Sequence, residues 1–497
     1  MNNAFWTHRR RFLQIFGTSA IASIFFDRRS QAMESENHPP NVYYVAPQGR
    51  DSNPGTLDRP WATIQKAADT LEAGQTVYIR GGTYAISEQI RPRNMGRPDR
   101  WITYRAYPGE IATIDAQNLY VEPPEGEPPF PHDQGAFQIE GTAYVRIQNL
   151  TLKNSHSAGF TVRNSNHIQF YNNTTINTYS SGIAVWTNCA YCKIIGNTIV
   201  NANTLEMRID WEGYPHQKNV GPHEAITLGG AIDFEVAYNH ICYCQKEGID
   251  CKETCARGIV HHNYTHHLRR QGLYVDSYFG LLEDIEVYDN VVSDCETGIA
   301  VSAEDGPLAD NIRIHHNLVY NNRATGIFLS RWGKDRRRTN IQIYNNTVDR
   351  NGYGKGEPTY WLTGGLYLYT TNLENVEIFN NIFSQNNSFQ IGYSGDYNGD
   401  LESRNINIEN NLIYQTETVT YPVRLEEWAK DDVYSTNGEN AIEGDPLYKT
   451  PSLGNFLLQN NSPAIGTGMG ENPDLGAFKA TAEQDFWWLA NFPPPVS

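Results

Sequence analysis

The segments EGIDCKET (residues 247–254) and QGLYVDSY (residues 271–278) decide the fold. Each opens with a small residue and then alternates. Ile249 and Cys251, or Leu273 and Val275, are apolar; Asp250 and Lys252, or Tyr274 and Asp276, stand between them. A period of two is the signature of a strand with one buried face. The two glycines, Gly248 and Gly272, lie 24 residues apart.

The same block recurs along the chain. It starts at Gly135, Gly159, Gly182, Ala225, Gly248, Gly272, Gly298, Gly326 and Gly365, with spacings of 24, 23, 43, 23, 24, 26, 28 and 39. A second strand of each unit ends in Asn, at Asn149, Asn173, Asn197, Asn239, Asn263, Asn290, Asn317, Asn346, Asn381 and Asn411. A repeat of this length, built from short alternating strands, predicts an all-β, single-stranded, right-handed parallel β-helix. Each unit makes one coil of three strands, and coils stack at about 4.8 Å. The shared Asn position predicts a ladder of side-chain amides, with Asn tolerating the left-handed geometry of the turn. Leucine-rich repeats lack this pattern, and helical repeats are excluded by the alternation.

Length alone suggests about three domains for 497 residues, but one continuous core reduces this to one. Expected boundaries are a signal peptide over 1–32, a linker over 33–41, a β-helix domain over 42–482 and a tail over 483–497. Within the domain the cap spans about 42–84 and the coils about 100–480. The formal charge of −17 argues against nucleic acid as partner, because that binding rests on Lys and Arg. The run Arg336-Arg337-Arg338 reads as a solvated turn.

Arg9-Arg10-Arg11 followed by an apolar stretch from Phe12 to Phe26, then Ser30-Gln31-Ala32, resembles a twin-arginine export signal. It predicts export to the periplasm or beyond, with no membrane span left after cleavage. Seven cysteines permit one or more disulfides in that compartment, or serve as small buried apolar residues. Cys189-x-x-Cys192 has no second pair at zinc-ribbon spacing. His261-His262, His266-His267 and His315-His316 read as turn and surface residues rather than metal pairs.

Tyr43 to Tyr84 combines a strand, a Gly/Pro turn and an amphipathic helix over about Trp61 to Ala73, as an end cap requires. This stretch resembles the opening of secreted pectin-lyase-fold proteins, including polysaccharide lyase family nine. NSPAIGTGMGENPDLGAF, Asn461 to Phe478, resembles their ending. The resemblance implies a carbohydrate-directed protein, and for family nine a Lys beside an Asp-rich Ca²⁺ site. Lys252 with Asp250 is similar in kind, although the Asp-Asp run of that site is not present.

Coil alignment turns Glu224, Glu247, Asp250, Lys252, Tyr274, Asp276 and Glu304 onto one outer face within a few coils. Glu224 stacks over Glu247 about 5 Å away, a like-charge pair that a sheet tolerates only with compensation. Lys252 and Asp276 are lateral neighbours able to form an ordinary ion pair. Gly229 leaves a dip beside Lys252.

Two chemistries fit. In β-elimination of a uronic acid polymer, Lys252 is the base, and Glu224, Glu247 and Asp250 hold Ca²⁺. In glycoside hydrolysis, Asp250 and Asp276, about 7–8 Å apart at Cβ, share the work with Glu247 or Glu224. Lys252 is then expected to acidify Asp276. A uronate epimerase needs a Tyr and a His, for which Tyr274 and His223 are placed. A non-catalytic polysaccharide-binding envelope protein needs aromatics without crowded charge. The catalytic candidates are therefore Lys252, Asp250, Asp276, Glu247 and Tyr274. The insertion before Ala225 supplies Arg208, Trp211 and His223 as substrate contacts, joined by Glu304 and Arg331. A polysaccharide partner and a monomer are expected.

Overall fold

The computed structural model describes residues 41–119, 133–204, 221–353, 364–416, 433–470 and 474–478. Export signal, linker start and C-terminal tail lie outside these residues, as do Arg208, Trp211 and residues 354–363. Among the described residues no helix is long and apolar enough to cross a membrane.

The described chain winds through three long sheets and forms a right-handed parallel β-helix of about 12 turns. Sheet A has 13 strands from Val42–Val45 to Ile406–Glu409; sheet B has 13, from Gly82–Ala85 to Ile442–Glu443. Sheet C has 11, beginning at Gly135–Glu140. Successive coils pair in parallel, and the alternation read in the sequence sets the register. Ile226 pairs with Ile249, Ile249 with Leu273, and Leu273 with Ile299, all facing inward and buried. Each row of apolar side chains thus stacks on its own kind, which removes a continuous column from water.

One inward position needs a glycine. A Cβ on Gly258 would lie 2.0 Å from the Phe234 ring one coil away, so the large and the small residue share one core slot.

The Asn ladder runs from Asn173 to Asn411. Each Nδ2 donates to the Oδ1 of the next coil, at 3.0 Å for Asn290 to Asn317. The backbone N–H of Asn290 donates to the same oxygen, and Nδ2 also reaches Val260 O at 3.0 Å. Two expectations change. Asn149 is not a rung: Leu150 occupies that position, its N–H bonding Asn173 Oδ1. The left-handed residue is also not the ladder Asn but the one before it. That residue is Asn172, Tyr238, His262, Asp289, His316, Asn345, Asn380 or Asn410, with φ between 50° and 56°, or Gly196 with φ 70°. Strain at such positions is of order 1–3 kcal/mol for bulky residues, so the ladder holds Tyr and His where glycine is the easier fit. A second ladder, Asn322 to Asn351 to Asn386, closes on Gln390 Oε1.

The capping helix is shorter than expected, spanning Ile64–Thr70. Thr63 caps it by accepting from the Lys66 N–H at 3.1 Å, and Asp51 takes the N–H groups of Ala62 and Thr63. Those bonds hold Trp61 outside the helix, stacked on Tyr43 at 4.6 Å. At the other end the coils stop near Glu443 rather than 480. Beyond it Tyr448, Phe456, Leu458, Ala464 and Leu475 fold back over the outer face of sheet B, against Val291, Leu318, Ile382 and Leu412. All seven cysteines are buried and none forms a disulfide. The basic run is solvated only in part, with Arg336 and Arg337 exposed. Arg338 is fully buried, donating to Asp335 Oδ1 at 2.6 Å and Ser330 O at 2.8 Å.

Two outcomes follow from this packing. Asn290→Ala removes the acceptor of two Asn263 donors and the donor to Val260 O and Asn317 Oδ1, leaves the buried Asn263 N–H unpaired, and lowers unfolding free energy by about 3 kcal/mol, read from the urea midpoint. Gly258→Ala costs about 1–3 kcal/mol by overpacking, and Phe234→Leu in the same chain recovers part of that loss.

Candidate functional site

The outer face of sheet C brings the charged residues together, but under cover. The strand Ile249–Lys252 lies between Ile226–Gly229 and Leu273–Ser277, with Asp250 beside Tyr274 and Lys252 beside Asp276. Asp250 is 2% exposed, Asp276 3%, Glu224 4% and Glu247 4%. Asp250 and Asp276 are outward strand positions, and Glu224 and Glu247 stand two residues ahead of their strands, so the burial of all four marks a covered face rather than a solvated one.

Each acid at the edge has its own cation. Glu224 accepts from Lys252 Nζ at 3.0 Å through Oε1 and from Thr227 Oγ1 at 2.8 Å through Oε2. Glu247 accepts from Arg270 at 3.0 Å. The stacked carboxylates are thus compensated by Lys252 and Arg270. Lys252 reaches back to Glu224 rather than forward to its register neighbour Asp276. Among the described residues, Asp250 Oδ1 and Glu247 Oε2 are buried with no hydrogen-bond partner.

The electrostatics separate these groups. Burial pushes the Asp250 carboxyl well above its ordinary range, the charge on Glu224 adds to this, and Lys252 only partly opposes it. Burial and then Glu304 push Asp276 up to about 8, so the expected acidification by Lys252 is outweighed. For Glu224, burial raises the proton affinity, but the charges of Lys252 and Lys246 prevail and hold it below the usual value. Burial lowers the Lys252 value, yet Glu224 and Asp250 overcome it and keep the ammonium charged. Burial lifts Glu253 at the rim to about 7. The face therefore sets a Glu224 of lowered proton affinity and a charged Lys252 beside two carboxyls of raised proton affinity, Asp250 and Asp276.

Tyr274 and Glu304 complete the arrangement. Tyr274 donates its hydroxyl to Glu304 Oε1 at 2.6 Å, and the Glu304 N–H donates to Asp276 Oδ1 at 3.2 Å. Trp332 sits edge-on to Tyr274 at 5.5 Å and opens an aromatic cluster with Phe328, Tyr367, Tyr369 and Phe389. His223 packs edge-on to Trp186 at 4.6 Å. That Trp fills the expected dip, since a Cβ on Gly229 would lie 2.6 Å from its ring. Arg331 lies further along, paired with Asp396 at 2.6 Å. Arg208 and Trp211 fall outside the described residues.

Sequence reasoning missed Arg270, Arg338, Trp332 and Glu296, the last pushed up to about 7 by burial. Arg270 and Glu296 shared a signal, each standing two residues ahead of a repeat start, Gly272 and Gly298.

The set Glu224, Glu247 and Asp250 does not match a Ca²⁺ cage as arranged. Two of its members are ion-paired. Among the described residues, the group of metal-type side chains with mutually close ligand atoms lies elsewhere, at His240, Cys242 and His266. A cleft of about 270 Å³ lined by Asp349, Tyr414, Asp445 and Tyr448 belongs to sheet B, away from this face.

Comparison with known proteins addresses the fold. A family model described as "Pel9A-like, right handed beta helix region" matches residues 43–213, ending before Glu224. Uncharacterized protein YwoF of Bacillus subtilis (strain 168) is 28% identical over 486 residues, covering 90% of this chain and 96% of that protein. Pectate lyase PEL9 of Emericella nidulans is 34% identical over 140 residues, which is 28% of this chain and 34% of PEL9. The crystal structure of pectate lyase Pel9A is 15% identical, with a TM-score of 0.48, over 89% of this chain and 97% of that one. A second model, "Right handed beta helix region", matches 135–307 and 278–413, more than half of the sequence. The chain belongs to the right-handed β-helix family and is a pectin-lyase-fold protein.

Proposed function

We propose that this chain is an exported, monomeric carbohydrate-active enzyme that cleaves a polysaccharide at the outer face of sheet C. One observation carries the reading: Glu224 and the pair Asp250 and Asp276 flank a single lysine, and their proton affinities are displaced in opposite directions. Groups pushed apart in this way are suited to acid and base roles at one pH.

Cleavage of a glycosidic bond needs a proton for the leaving oxygen and an ionised carboxylate for the sugar or its attacking water. Asp276, pushed up to about 8, is the donor, and burial raises the proton affinity of Asp250 beside it as well. Glu224 is the ionised member. Lys252, still 15% exposed at its side chain, offers a fixed positive charge to an anionic sugar. Tyr274 orients Glu304, whose N–H holds Asp276. Arg9-Arg10 and the apolar segment behind it support export through the twin-arginine route to the periplasm or the exterior.

A second reading, β-elimination of a uronic acid polymer, is favoured by the Pel9A-like match over 43–213 and the local identity to PEL9. It makes Lys252 the base, a role that its contact with Glu224 opposes.

Both readings are separated on pectate, alginate and neutral glycans, with Ca²⁺ and with chelator. Acid–base cleavage releases reducing ends without the ultraviolet absorbance of an unsaturated uronate, and chelator leaves the rate unchanged. Asp276→Asn and Glu224→Gln each lower kcat at least about 10²-fold. Absorbance that rises only with Ca²⁺ and an intact Lys252 replaces this reading with the lyase. No product from any polymer in either assay overturns both.

The pH dependence has a defined sign. As the proton donor, Asp276 loses activity as pH rises through about 8. Its folded pKa is raised from 3.8 to about 8, so the native state keeps a proton that the unfolded chain releases. Stability contributed by this group is present below about pH 4 and falls as pH rises from there to about 8. Asp276→Asn flattens that slope in urea unfolding measured across the range.

A further inference from the structure

We propose that His240, Cys242 and His266 form a zinc site on the outer face of sheet B, separate from the carboxylate face. The strands His240–Cys242 and Tyr264–His266 are neighbours in successive coils, with His240 beside Tyr264 and Cys242 beside His266. The middle residues Ile241 and Thr265 are fully buried inward positions, so the flanking residues point out of the solenoid. Such positions are ordinarily polar and solvated. Here His240 is 5% exposed, His266 8% and Cys242 0%.

The three side chains converge. One ligand atom from each lies within 4.8 Å of the other two. The Nε2 atoms of His240 and His266 approach to 2.8 Å, and the two rings lie within 22° of parallel. Two imidazoles and one thiolate, within a single coil step, are a donor set of borderline-soft character, which selects zinc over calcium or magnesium.

The surroundings supply the support such a site requires. His266 Nδ1 lies 2.8 Å from His267 Nδ1. When Nδ1–H of His266 donates there, Nε2 keeps its lone pair and points to the ion, the outer hydrogen bond that a ligating histidine ordinarily makes. Zn–N distances of about 2.0–2.1 Å and a tetrahedral angle require the two Nε2 atoms to open to about 3.3 Å, a small side-chain rotation. On binding, the Cys242 thiol gives up its proton to solvent, a Zn–S bond forms, and no electrons are transferred. Three protein ligands leave the fourth position to water, and the ion ties two coils together across sheet B.

The experiment uses the full exported chain. Zinc is measured by mass spectrometry after gel filtration, and Co²⁺ is titrated into metal-stripped protein as a spectroscopic probe. The expected result is about one zinc per chain. Cobalt then gives a thiolate-to-metal charge-transfer band together with tetrahedral d–d bands. Cys242→Ser abolishes the charge-transfer band, and His266→Asn lowers metal affinity at least about tenfold. His316→Asn, at a histidine of another pair, changes neither. Chelator lowers the thermal midpoint of the wild type but not of Cys242→Ser. If both ligand variants misfold by circular dichroism, the wild-type stoichiometry and cobalt spectrum decide alone. A wild type that retains no zinc and shows no thiolate band overturns the proposal, as does a band that survives Cys242→Ser.

Discussion

Every site in this molecule depends on coil-to-coil register, and register depends on buried amides that bond their own copies. A slip of one residue turns every inward side chain outward. Apolar rows resist such a slip through lost burial, but Ile on Val or Leu is a permissive contact. The Asn ladder is not permissive. Asn290 joins three coils through one amide, donating to Val260 O and Asn317 Oδ1 while accepting from Asn263. Shifted by one step, those groups are left buried and unpaired, which costs more than imperfect packing.

With the register fixed, chemistry is written on the outside of the sheets. Adjacent coils carry side chains to within contact distance, so residues about 24 positions apart become neighbours. The outer face of sheet C uses this to crowd acids around Lys252, and sheet B uses it to gather His240, Cys242 and His266. Both places combine outward-pointing residues with burial. That combination costs stability in a solenoid, because polar groups leave water without always meeting a partner, as Asp250 Oδ1 shows among the described residues.

The fold was legible in the spacing because one coil is short and repeats. Alternation gave the inward rows and placed Glu224, Asp250, Lys252, Tyr274 and Asp276 on one face. Side-chain direction was not legible. Lateral pairing put Lys252 beside Asp276, but the lysine chain reaches Glu224, and burial together with Glu304 outweighs the acidification expected of Asp276. Burial of outer faces was hidden as well: over sheet B it comes from the returning segment with Tyr448, Phe456 and Leu475, distant in sequence. Arg338 looked solvated within a basic run and is enclosed by Ser302, Ser330 and Asp335. Asn149 looked like a rung because it ends a strand in Asn, and its neighbour Leu150 shows that the position is defined one residue later. His266 read as a turn residue because the doubled histidine drew attention, while the alternation with Tyr264 that turns it outward did not.

The segment that returns across sheet B changes how this solenoid can come apart. A stack of coils held only by nearest neighbours frays from its ends, one coil after another. Here Asn345 Nδ2 donates to Asp474 O, the Ala477 N–H donates to Thr347 Oγ1, and the Met469 N–H donates to Asn380 Oδ1 while Asn380 Nδ2 donates to Met469 O. The strap lies across Val291, Leu318, Ile382 and Leu412, which belong to separate coils. None of those coils can open at the C-terminal end without first releasing the strap from all of them. The terminal third of the stack is thereby made a single cooperative unit, and resistance to end-on proteolysis comes from a cross-tie rather than from the last coil's own stability.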